Sequence, residues 1–404
     1  MSMLNKRKVN DGILQGITYG ASFFSLFVLL AIIGFVFVNG VHLLNWDLIT
    51  HNYTAVSFIA DLKEGTGPGN YETDQVFAEG TYYSDKWGIA LADDTNVQGK
   101  NVVLVVYVNP QSPFASLHDK GISTVPIPLE KDYEIIRIAF DGASSALSVQ
   151  GAQNMITILD GQNSFRELEF STSGGGIRGS IITTMYLIFF TLIIALPIGI
   201  GSAIYLNEYA PNNKFTRLIR LLIETLTGVP SIIYGLMGLA IFVPITIQLT
   251  DATGGNIISG SMTMAVILLP IIIRTTEESL KVVPDDYRYA SLSLGASKTQ
   301  TTFKIVLPNA FSGILTATLL AIGRIIGESA ALVFAIGTTI KDTVKITDKS
   351  ASLAVHIWAM MTDEPANIEL STTIAIIILF IVLTLNISIK LISKGMMRKF
   401  GANA

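Results

Sequence analysis

Cysteine is missing from all 404 residues. That excludes disulfides, thiolate metal sites and cysteine nucleophiles, and it leaves the compartment open. Histidine is scarce: His42, His51, His118 and His356 stand at no metal-ligand spacing, and each is expected in a loop or at an interface. Charge is sparse too, at 14% of residues against 50% hydrophobic, a balance foreign to a soluble domain and ordinary for a multi-span membrane protein. Enzyme signatures are equally lacking. Gly99-Lys100 is followed by Asn101 and GASKT at Gly295 has the wrong spacing, so no phosphate-binding loop is present, nor any nucleophile elbow or dinucleotide fingerprint. No basic patch interleaves with aromatics, which argues against nucleic acid as a partner. The chain is expected to carry no catalytic residue, no metal and no cofactor of its own.

Long apolar runs are what the sequence has instead. Lys6-Arg7-Lys8 precede a run from about Ile13 to Val38, too long for a cleaved leader and long enough to cross a hydrocarbon layer of ~30 Å at ~1.5 Å per residue. Five further spans are predicted at about Ile177–Leu206, Leu218–Ile247, Ile257–Ile273, Phe311–Ile340 and Thr372–Leu391. Basic residues gather at 6–8, 214–220, 274–304 and 390–399, which six spans put on one side; the positive-inside bias then places both termini in the cytoplasm. Pro197, Pro230, Pro244 and Pro270 fall inside the apolar runs, and the Gly228-Val229-Pro230 break with Gly235 and Gly238 predicts a kinked, closely packed span. Either helix packing or a hinge in transport accounts for them.

Residues 45–173 are of another kind. They hold 17 Asp/Glu against 7 Lys/Arg, a net of −10, whereas the rest of the chain has a net of +6. β-Branched runs at Asn101–Val108, Tyr133–Phe140 and Met155–Leu159, bounded by Gly, Pro, Asn and Asp, predict a β-rich domain between the first and second spans. STSGGG at Ser171–Gly176 reads as a flexible joint at its end. The expected organisation is thus 1–44 with the first span, 45–173 as the extracytoplasmic insertion, and 174–404 as a core of five spans.

The polar loop 274–308 is heavily punctuated. Asp285 or Asp286 can cap a short helix to about Leu294, Gly295 can close it, and Ser297 with Gln300 forms a capping box for a second helix that Pro308 is expected to end. Three Arg/Glu pairs stand at i, i+4, on one helix face each: Arg220/Glu224, Arg274/Glu278 and Arg324/Glu328. The last lies deep in a predicted span, where each charge costs ~2.5–3.5 kcal/mol unless a partner or a wet cavity compensates it. Gly323 and Gly327 beside it form a small-residue strip suited to close helix approach. An ion pair locking helices in register and an anion site are both open readings of it. Arg220/Glu224 reads as a pair reaching toward headgroups or as a second anion contact, and Arg274/Glu278 as a solvated pair.

Ala290, then Gly295, then Ile305-x-Leu307-Pro308 resembles the cytoplasmic EAA loop of ABC-importer permeases, with Tyr289 where Glu is usual and Ser291 where a second Ala is usual. GVPSIIYGL at Gly228–Leu236, LPIIIRTTEESLKVVP at Leu269–Pro284 and ILTATLLAIGRIIGESAALVFAIG at Ile314–Gly337 look like phosphate permeases of the PstA type, over about Gly174 to Leu391. The resemblance implies an all-α polytopic protein of six transmembrane helices with a β-rich insertion, in the plasma membrane of a bacterium. It implies phosphate import, with Arg324, Glu328, Arg220 and Glu224 on the substrate pathway, and with Asp286, Tyr289, Ala290, Gly295, Ile305, Leu307 and Pro308 coupling to an ATPase. It implies as partners a homologous second permease, two ATPase subunits holding ATP and Mg, an extracytoplasmic phosphate-binding protein, and membrane lipid. Sulfate, molybdate or tungstate as cargo, or a membrane-anchored receptor, remain alternatives.

Overall fold

The first apolar run folds as one uninterrupted helix, α1 (Met3–Gly40), in a computed structural model that describes residues 3–63, 65–95, 101–120, 126–172, 174–362 and 366–399. Its side chains over the apolar stretch are mostly exposed in the chain by itself, as for a helix whose solvent is lipid. The chain divides into two compact units: 1–44 with 180–340 and 344–404, and 45–179 with 341–343.

The second unit opens with α2 (Trp46–Thr50) and is built on an antiparallel sheet. Its strands are β1 (Ser57–Asp61), β2 (Thr81–Ser84), β3 (Ile89–Thr95), β4 (Asn101–Val108), β5 (His118–Asp119), β6 (Glu134–Ala139), β7 (Ala146–Leu147) and β8 (Glu167–Ser171). Spatial order is β2-β3-β4-β6-β8-β1-β5, with β7 beside β6. Val103 and Val105 on β4 face a core with Trp87, Phe114 and Phe165, and the Trp87 indole donates to the Leu159 carbonyl at 2.9 Å.

Two expectations for this unit fail. Met155–Leu159 is not a strand but the second half of α3 (Ala152–Asp160). Ala152, Met155, Ile156 and Leu159 are its buried residues, and that spacing is helical, so the periodicity overrides the β-branched composition. The glycines 174–176 are not a loose joint: Gly175 and Gly176 are buried and donate to the carbonyls of Tyr53 and Asn52 at 2.8 and 3.0 Å. Ser173 lies outside the described residues. Within the same unit the Asp342 carboxylate accepts from the backbone N–H groups of Tyr53 and Thr54, at 2.5 and 3.1 Å.

The first unit continues with α4 (Arg178–Ile204), which unwinds into a wide turn at Tyr205–Tyr209, then α5 (Lys214–Leu226), α6 (Ser231–Met237) and α7 (Val243–Leu249). It goes on through α8 (Ile257–Val282), α9 (Asp285–Ser293), α10 (Lys298–Thr301), α11 (Leu307–Gly327), α12 (Ala330–Ala335), α13 (Leu353–Thr362) and α14 (Ile368–Lys399). Six helical segments among the described residues are long and apolar enough to cross a membrane: Asp11–Leu43, Arg178–Tyr209, Ser231–Leu249, Ile257–Val282, Lys298–Gly327 and Ile368–Ile392.

Two predicted spans are cut short. The run from Leu218 to Ile247 is divided, because Pro230 cannot continue a helix and takes the N-cap position of α6; α5 before it is a separate amphipathic helix. The run from Phe311 to Ile340 stops at Gly327, and α12 is a short helix of its own. Gly235 seats α12, since a β-carbon there would lie 2.7 Å from the Ala331 backbone. His356 also departs from expectation: it is fully buried on α13, with Nδ1 2.9 Å from the Ser180 hydroxyl.

Candidate functional site

The break after α11 is where the membrane unit places its deep charge pair. Arg324 is the one charged residue of α11, three residues from its end. Glu328 lies just past the helix in extended backbone, φ −82° and ψ 118°, so the expected single helix face for the two residues is absent. They still meet: Arg324 Nε is 3.3 Å from one Glu328 oxygen, while the other accepts from the Ala331 N–H at 3.3 Å. The carboxylate therefore joins the last turn of α11 to the first turn of α12. Glu328 is 6% exposed and Arg324 47%, so the carboxylate is held inside and the guanidinium reaches outward. No other partner of Arg324 is found among the described residues. Its remaining N–H groups form a planar fork that can take two oxygens of an anion. Gly323 and Gly327 are open, with nothing within 4 Å of a β-carbon built on either, so the expected close helix approach does not occur within this chain.

A second polar cluster joins α5 to α8 around a cavity of about 240 Å³. The expected Arg220/Glu224 pair is replaced by another: Arg220 Nε lies 3.0 Å from Glu277 Oε1 on α8, and its Nη2 donates to the Leu206 carbonyl at 2.8 Å. Glu277 is buried and also meets Lys281 at 2.8 Å. Glu224 instead contacts Arg274 at 3.4 Å, while Arg274 keeps its expected partner Glu278 at 3.1 Å. The helix-face rule brings residues four apart within reach, yet a buried carboxylate on a packed neighbour holds Arg220 instead. Glu277 and Lys281 were not singled out in the sequence, although their i, i+4 spacing was there to find.

The loop between α8 and α11 forms an elbow. Pro284, not Asp285 or Asp286, occupies the N-cap position of α9, and no side chain caps it. Gly295 has φ +87°, a left-handed conformation that L side chains adopt only under strain. The Ser297/Gln300 capping box is present. Pro308 does not end the second helix: α10 passes through a wide turn at Thr302–Val306 into α11, whose first turn holds the proline. Proline's missing N–H is harmless in a first turn, and the widened turn before it makes room for the ring. Asp286, Tyr289, Ala290 and Gly295 are exposed together on the elbow, whereas Ile305, Leu307 and Pro308 are half-buried where it joins α11. Ser291, in place of a small apolar residue, shares a 2.9 Å hydrogen bond with Thr301 across the elbow.

A family model described as "Binding-protein-dependent transport system inner membrane component" matches residues 195–398, which include none of 45–179 and only 341–343 of the β-rich unit. The "Probable ABC transporter permease protein YqgI" of Bacillus subtilis (strain 168) is 38% identical over 203 residues, covering 47% of this chain and 67% of that protein. The "Phosphate transport system permease protein PstA homolog" of Mycoplasma pneumoniae is 34% identical over 184 residues, 45% of this chain and 28% of that protein. The chain thus spans well under two thirds of this second relative's length. Among solved structures, inward-facing MetNI methionine ABC transporter aligns with 21% identity and a TM-score of 0.43, covering 55% of this chain and 94% of that one.

Proposed function

This chain belongs to the family of binding-protein-dependent transport system inner membrane components, the permease subunits of ABC importers, and we propose that it forms half of the translocation pore of an ATP-driven importer of inorganic phosphate. The observation that carries the reading is Arg324: a half-exposed guanidinium in an otherwise uncharged helix of membrane length, tied by a single edge to a buried carboxylate. A charge of that kind is expensive in hydrocarbon and is retained where an anion or water meets it. Arg324 binds the phosphate oxygens, and Glu328 competes for the same fork, so that the anion is held and then let go. Glu328 can also accept a hydrogen bond from a protonated phosphate, which sulfate at neutral pH does not offer. A relative at 34% identity carries the phosphate-permease name. Arg220 and Glu224, at the α5–α8 cluster, form a second part of the path.

The partners follow from the same reading. A homologous second permease completes the pore, and two ATPase subunits bind ATP and Mg and engage the exposed face of the elbow through Asp286, Tyr289, Ala290 and Gly295. An extracytoplasmic binding protein delivers the anion. Ile305, Leu307 and Pro308 carry the elbow's displacement into α11, on which Arg324 sits. Both termini lie in the cytoplasm of a bacterial cell, and the acidic β-rich unit lies outside.

The test is purification of the chain with whatever it binds, followed by uptake of labelled phosphate into proteoliposomes against competing sulfate, molybdate and tungstate. Phosphate uptake driven by ATP and resistant to the competitors is expected. Equal competition by sulfate reassigns the cargo, and purification without any ATPase rejects the importer.

A further inference from the structure

The elbow is not fastened to its flanking helices alone. Arg288, in the middle of α9, turns inward and is only 16% exposed. Its Nη2 donates to Glu208 Oε1 at 2.9 Å and to the Leu280 carbonyl at 2.9 Å, and its Nη1 donates to the Val283 carbonyl at 2.7 Å. Leu280 and Val283 stand at the C-terminal end of α8, where carbonyls lack partners within the helix, so the guanidinium caps that helix from outside. Glu208, 8% exposed, belongs to the wide turn that ends α4. One residue later, Tyr209 reaches α10: its hydroxyl lies 3.4 Å from the Thr299 hydroxyl, and Lys298 Nζ stands 5.3 Å from the ring centroid. Beneath these polar contacts Ile204, Leu280, Val283, Val306 and Ala310 form one apolar cluster.

We infer that Glu208 and Arg288 are positioning residues that make the last turn of α4 and the elbow a single rigid lever, so that α4 moves with the elbow when the elbow is pushed. The inference rests on the elbow being the ATPase contact. The geometry favours it over an ordinary surface pair on two grounds. Both groups are largely buried, and the other carboxylate on Arg288, Asp285 of α9 at 3.2 Å, is exposed, so loss of Glu208 removes the guanidinium's one buried counter-charge among the described residues. The guanidinium is also used on three separate elements at once, α4, the end of α8 and α9 itself. Single-residue pairs along one helix carry no such load.

The absence of cysteine makes the test direct. Spin labels at Tyr205→Cys and Ser293→Cys report the separation of the α4 terminus from the elbow in the full-length chain. A single narrow distance distribution is expected in the chain alone, and the same mean distance, within about 2 Å, in the complex with and without a non-hydrolysable nucleotide. Glu208→Gln should broaden the distribution and let the mean shift with nucleotide; Arg288→Lys, which keeps charge but loses the fork, serves if the first variant does not fold. A parent distance that changes with nucleotide, or narrow unchanged distributions in both variants, overturns the lever. The arm measured on the chain alone needs no partner, so failure to find an ATPase would sink the importer reading and the push on the elbow, while the rigid join of α4 to the elbow is still decided by its own distance distribution.

Discussion

Glu328→Gln separates a transit site from a lock. The amide keeps the size of the carboxylate and can still accept from the Ala331 N–H, so α12 retains its first-turn contact. What is lost is the charge 3.3 Å from Arg324. Coulomb attraction at that distance is about 5 kcal/mol for an effective dielectric of ~20. Arg324 is 47% exposed, which moves the net value toward that of solvated pairs; about 1–2 kcal/mol is a fair figure between exposed and buried cases. If Glu328 competes with the anion for the guanidinium, that energy is returned to the anion. The apparent KM for phosphate should then fall by roughly 5- to 30-fold, with turnover falling by a similar factor because release is slowed. Initial rates of labelled-phosphate uptake in proteoliposomes, over a range of substrate concentrations, read both parameters. A KM that rises or stays unchanged while the protein loses thermal stability would assign the pair to helix registration and refute the transit site.

Further outcomes follow from the same geometry. Arg324→Ala should abolish uptake while leaving association with the other subunits intact, and undiminished uptake rejects the site assignment. Gly295→Val forces a β-branched side chain to φ +87°, a strain of about 1–3 kcal/mol; phosphate moved per ATP should drop, and an unchanged ratio removes the docking reading of the elbow. Glu277→Gln leaves Arg220 and Lys281 without their buried counter-charge, a loss of about 1–2 kcal/mol once their partial exposure is allowed for, read as a lower unfolding temperature in detergent. Trp87→Ala should cost about 3–5 kcal/mol in the β-rich unit, seen as faster proteolysis within 45–179 while the helices of the first unit stay resistant.

Much of this architecture was written in local pattern. Six membrane-length segments, the acidic insertion, strand Asn101–Val108 and the Gly295 turn each depend on hydropathy, alternation or one backbone angle, which neighbours in sequence suffice to specify. The short helix ending near Leu294 was recognisable for the same reason, although Pro284 rather than Asp285 or Asp286 begins it. Helix ends were harder. Pro230 and Glu328 cut two apolar runs that composition reads as continuous, because hydrophobicity is indifferent to whether the backbone inside it bends.

Partner choice was the part that local pattern could not supply. Arg220 stands four residues from Glu224, and the chain nonetheless gives it Glu277, from another helix. Arg288 finds Glu208 eighty positions away, and Arg274 finds Glu224 at fifty. An i, i+4 spacing says which groups share a face; for Arg220 and Arg288 a buried carboxylate on a neighbouring element then selects the partner, whereas the exposed Arg274 meets Glu224 only because packing brings α5 and α8 side by side. That selection exists only once α4, α5 and α8 are packed, so the spans belong to the sequence and the wiring between them to the fold.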